Sequence, residues 1–100
     1  MTDSIRVRAE RLADILELRI LIAHPMTVAT GEGAMRVAGH FITRVDVEYG
    51  GEVVLVAHFE QGVARNPLLV CRLRPATQTD EIAIVWRDNL GEHDRLTMMV

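Results

Sequence analysis

A chain of 100 residues with a net charge of -3 makes one domain (1–100), long enough to bury about 60 to 65% of its unfolded surface in a single core. The acidic balance speaks against a nucleic-acid footprint or a polybasic membrane surface, because neither phosphate nor anionic lipid is attracted overall. All 11 basic residues are Arg, which excludes lysine Schiff-base chemistry and phosphate loops that need a lysine, and the single Cys71 excludes an internal disulfide framework and a cysteine-based zinc site.

Met1 to Arg8 lacks the apolar segment of an export signal and no run approaches a membrane span, so the residues alone imply a soluble, cytoplasmic chain. Ile5 to Arg8 alternates apolar and charged residues and predicts a short first strand. Residues 8–18 fit either a helix of two to three turns, because Leu12, Ile15 and Leu16 keep helical spacing, or a turn around Arg11 to Asp14; the turn is favoured. The longest apolar run, Ile15 to Met26, predicts a central strand with Leu16, Leu18, Ile20 and Ile22 on its core face and Glu17 and Arg19 on the other. Pro25 cannot donate to a sheet ladder, so pairing should stop there and display His24, Pro25 and Met26 at an edge or loop mouth. Thr27 to Gly39 shows no sustained period and reads as a long loop.

Phe41 to Tyr49 alternates cleanly, with Phe41, Val45, Val47 and Tyr49 on one face. Gly50-Gly51 supplies the positive φ angles of a tight hairpin, and Glu52 to Phe59 returns with Val53, Leu55, Ala57 and Phe59 inward. Asn66-Pro67 ends a second connection, and Leu68 to about Arg72 resumes extended structure. Pro75 to Asp80 is turn-like, Ile82, Ile84 and Trp86 mark another strand with Trp86 as a core anchor, and Asp88 to Gly91 turns the chain into His93 to Met99. About seven short strands without a helical crossover predict an all-β antiparallel sandwich.

Four histidines, at 24, 40, 58 and 93, match no ligand spacing, so they are expected at surface or turn positions and no metal or other cofactor is expected. Cys71 shares a strand face with Leu69 and Leu73 and should be a buried, inert thiol. Asp88 should accept backbone hydrogens in its turn. No nucleophile triad, paired-carboxylate motif or phosphate loop appears, so no active site is inferred. The strand exit at His24, Pro25 and Met26, with Asn66 and Pro67 as a second bend nearby, is the candidate contact site.

Leu21-Ile22-Ala23-His24-Pro25-Met26, His40-Phe41-Ile42, the hairpin at Tyr49 to Gly51, Asn66-Pro67 and Trp86-x-Asp88 together resemble the sulfur-oxidation SoxZ family, from Ile15 onward. The chain departs from that pattern in the loop after Met26, where it reads Thr27-Val28-Ala29-Thr30-Gly31. The resemblance implies an immunoglobulin-like sandwich pairing with a SoxY-like subunit, whose C-terminal Gly-Gly-Cys-Gly-Gly arm carries sulfur covalently in thiosulfate oxidation. It implies contact with other sulfur-oxidation enzymes through that heterodimer, and periplasmic residence by co-export with the partner. The tail Asp94 to Val100 holds neither Gly nor Cys, so this chain is expected to offer no thiol arm of its own. Two other readings stand beside this one: a histidine-based metal or small-molecule enzyme, and a homo-oligomeric structural domain, including a homodimer of the isolated chain.

Overall fold

The computed structural model describes residues 4–74 and 81–100, and among them seven strands form two antiparallel sheets. Strands β1 (Ile5–Leu12), β2 (Ile15–Ile22) and β5 (Leu68–Leu73) make one sheet in the order β1-β2-β5. Strands β3 (Ile42–Tyr49), β4 (Glu52–His58), β6 (Glu81–Asp88) and β7 (His93–Met99) make the other, in the order β4-β3-β6-β7. The sandwich measures 55 × 21 × 20 Å. The all-β fold expected from the alternating runs is present.

Two-residue periodicity explains the core. Leu16, Leu18, Ile20 and Ile22 of β2 are all buried, and they meet Val45 and Val47 of β3 and Ile82, Ile84 and Trp86 of β6. The central strand was expected to run to Pro25, but it ends at Ile22. The region 8–18 is a hairpin: β1 extends to Leu12, Ala13 takes a positive φ of 58°, and Leu12 pairs with Ile15. The favoured turn therefore prevails over the helix, because Leu16 and Leu18 bury themselves only on an alternating strand.

Two bulges overturn simple alternation. Between Ile42 and Arg44 the β3–β6 register slips past Thr43, which turns Ile42 into the core and leaves Phe41 half-buried at its margin. On the other side of β3 the register steps from Val47–Leu55 to Glu48–Val53, leaving Val54 over. Val53 therefore faces outward and is half exposed, against the expected inward position, while Leu55, Ala57 and Phe59 pack on the core.

The loop after Met26 is tied across its neck. Thr27 and His40 exchange both backbone hydrogen bonds, at 2.7 and 2.9 Å, as do Thr30 and Val37. A 3-10 turn, Gly33–Met35, forms the tip. Gly31 is required below it: its φ is +79°, and a Cβ there would overlap the Met35 carbonyl oxygen. The turn expected over residues 75–80 lies outside the described residues.

Candidate functional site

The backbone after Ile22 stays bonded to both neighbours. Ala23 N–H donates to the Ser4 carbonyl at 2.7 Å, and Ile22 N–H donates to the Pro67 carbonyl at 3.1 Å. Asn66 then clasps His24 twice: its N–H donates to the His24 carbonyl at 2.9 Å, and its Oδ1 accepts the His24 N–H at 3.0 Å. Asn66 holds a φ of +53°, a conformation Asn tolerates better than other side chains. The two bends that sequence reading placed near each other are in contact.

Their exposure differs from expectation. Pro25 and Asn66 are exposed and Pro67 is buried, but His24 and Met26 are only 3% and 7% exposed, so they are not displayed at a loop mouth. The reason is a turn in which the His24 ring folds back and its Nδ1 accepts the Met26 N–H at 3.1 Å. Met26 adopts a φ of +50°, and its sulfur accepts the Ile42 N–H at 3.2 Å as the side chain enters the core. The strand ladder ends at Ile22 and the bonds to Ser4 and Asn66 at His24, and the polar atoms that follow Pro25 are satisfied internally.

The largest departure from the sequence reading is at Asp88. Its side chain is fully buried, and its Oδ2 accepts from His24 Nε2 at 3.0 Å and from His40 Nε2 at 2.7 Å. Oδ1 accepts the backbone N–H of Leu90 at 3.0 Å and of Glu92 at 2.8 Å, the turn role expected from sequence. Burial alone pushes the Asp88 carboxyl up, but the bonds from His24, His40 and the Glu92 and Leu90 backbone outweigh it and hold the group at about 2. The His24 ring stands edge-on to His40 at 4.5 Å and to Trp86 at 5.2 Å. Trp86 Nε1 donates in turn to Ser4 Oγ at 3.0 Å. His58 and His93 are exposed, as expected, whereas His24 is buried and His40 half-buried.

His24, His40 and Asp88 bring three ligand-type atoms within 4.8 Å of one another, as a metal site would. Proton bookkeeping argues otherwise. Because His24 Nδ1 accepts an N–H, the proton of the neutral ring sits on Nε2 and is donated to Asp88. A metal at Nε2 would place a proton on Nδ1, facing the Met26 N–H donor. His40 Nε2 lies between two carboxylate acceptors, Asp88 and Glu92, the latter at 3.0 Å, and so carries a proton as well. The cluster is chemically a hydrogen-bond hub that joins the exit of β2, the start of β3 and the β6–β7 turn.

The exposed surface beside the hub is a half-open pocket of about 150 Å³ lined by Ser4, Arg6, Leu21, Ala23 and Asn66. Cys71 is 7% exposed among the core residues, and burial pushes its thiol up. The thiol thus faces the core, as expected.

A family model described as Sulphur oxidation protein SoxZ matches residues 5–98. No curated protein matches the sequence. Among solved structures, a hypothetical protein, PH1083, from Pyrococcus horikoshii OT3 superimposes with a TM-score of 0.70 at 14% identity, covering 97% of this chain and 87% of the other. A superoxide reductase from Nanoarchaeum equitans superimposes with a TM-score of 0.67 at 14% identity, covering 97% of this chain and 91% of the other. At that identity the two structures speak for the fold alone.

Proposed function

The chain belongs to the sulphur oxidation protein SoxZ family, and from that premise we propose that it is the non-catalytic partner subunit of a SoxY-like carrier in thiosulfate oxidation. The observation that carries this reading is the state of the chain's one thiol. A covalent sulfur carrier needs an accessible thiolate, and Cys71 is buried with its thiol pushed up. In a sulfur-oxidation protein, that supports a reading in which the covalent chemistry falls to another chain.

The carrier arm is flexible, so ordering it costs conformational entropy on each visit. A preformed wall offsets part of that cost. Pro25, Asn66 and Ala23 form its exposed part, and His24, Met26 and Pro67 hold them in place from below. Their work is positioning. The heterodimer would reside in the periplasm, brought there by the carrier's export signal.

Calorimetric titration with a SoxY-like subunit bearing a Gly-Gly-Cys-Gly-Gly arm tests the reading. It predicts a one-to-one complex, and a reconstituted system whose thiosulfate-dependent electron transfer requires both chains. Transfer at the full rate with this chain omitted, or no heat of binding, contradicts it.

A further inference from the structure

The outer face of the β1-β2-β5 sheet is unlike the rest of the surface. The register sets Arg6 opposite Leu21 and Leu21 opposite Leu68; one rung along, Arg8 lies opposite Arg19 and Arg19 opposite Val70. Like charges directly opposite on a sheet destabilise it, and here they persist in a chain of net charge -3. Arg6 and Arg8 make no ion pair among the described residues, while Arg19 reaches only its strand neighbour Glu17, at 3.2 Å. Between these guanidinium groups, Leu21, Leu68 and Val70 are 40%, 59% and 46% exposed. Arg6, Arg8, Arg19, Leu21 and Leu68, with Val7, line a shallow groove of about 440 Å³, which shares Arg6 and Leu21 with the pocket beside Asn66.

We propose that this groove is the docking site for an acidic, extended segment of a partner protein, about four to five residues long. The length follows from the groove's course along the end of β2 and the residue after it, Arg19 to Ala23, at about 3.3 Å per residue. Carboxylates of the segment pair with Arg6, Arg8 and Arg19, and its apolar side chains cover Leu21 and Leu68. A long polyanion is disfavoured, because one rung beyond Arg8 and Arg19 on the same face the sheet places Glu10 opposite Glu17. A second copy is disfavoured too, because a two-fold contact through this face sets arginines against arginines. The inference takes from the preceding reading only that the chain works bound to another protein.

The test is an NMR titration of the intact chain with the peptide Asp-Leu-Glu-Leu-Asp, with Lys-Leu-Lys-Leu-Lys as its counterpart. The acidic peptide should shift Arg6, Arg8, Arg19, Leu21 and Leu68, and the basic one should not. Affinity should drop at least tenfold in Arg6→Glu/Arg8→Glu and several-fold in Arg6→Ala/Arg8→Ala, variants whose removed side chains hold no ion pair among the described residues, with thermal unfolding confirming the fold. No binding by the acidic peptide, equal binding of the basic one, shifts centred on Val54 and Val56 of β4, or concentration-dependent self-association through the groove each overturn the proposal. A SoxY-like subunit that binds wild type and Arg6→Glu/Arg8→Glu equally well removes this face while leaving the partner-subunit reading intact. Peptide binding without SoxY-like binding does the reverse.

Discussion

Asp88 is where one residue decides most. Its carboxylate, itself fully buried, holds the donors of two imidazoles and two backbone groups. Asp88→Asn turns an acceptor-only group into one that also donates, and should cost about 2 to 4 kcal/mol near neutral pH. Because the folded carboxyl sits at about 2, below its ordinary 3.8, its contribution is fully present above about pH 4 and is lost as pH falls through 2. Urea titrations of both proteins should therefore converge between pH 4 and pH 2; a gap that stays constant over that window would show that the charge of Asp88 is not what stabilises the fold. The turn role of Asp88 was legible from its place after a strand. The gathering of His24 and His40 was not, because 64 and 48 residues separate them from Asp88 and no local spacing encodes the contact.

At the scale of the element, strands were legible wherever alternation was unbroken. β2 buries Leu16, Leu18, Ile20 and Ile22 as their spacing requires, and Cys71 falls inward between Leu69 and Leu73 for the same reason. Phe41 and Val53 were misplaced because a bulge inserts one residue and reverses parity beyond it, and nothing in Thr43 or Val54 announces that insertion. His24 and Met26 were misplaced for a different reason. Pro25 does signal the end of pairing, but the ring bond from His24 Nδ1 that buries the next turn is a side-chain event. β6 supplies the element-scale prediction, since Trp86 joins the hub to the N-terminal segment through His24 and Ser4. Trp86→Ala should cost about 3 to 5 kcal/mol, leaving a domain of this size barely folded. A loss below about 1 kcal/mol in denaturant titration would mean that the ring does not anchor the sandwich.

The whole molecule is a sandwich in which the buried His24 and Asp88 are spent on holding its own loops, while the buried Glu17 and Asp46 pair with strand arginines. A buried and a half-buried histidine, a buried carboxylate and a buried thiol would elsewhere suggest catalysis, yet here His24, His40 and Asp88 satisfy one another and Cys71 faces the core. Open to another protein are, among other surfaces, the pocket at Ala23 and Asn66 and the arginine-lined groove that continues from it. On the function proposed above, positioning falls to this chain, a member of a sulfur-oxidation family, and bond making to its partner. Intact-mass spectrometry of both chains after thiosulfate turnover tests this most directly. Sulfur adducts should appear on the carrier's arm thiol while the mass of this chain stays unchanged; an adduct on Cys71 would contradict the account.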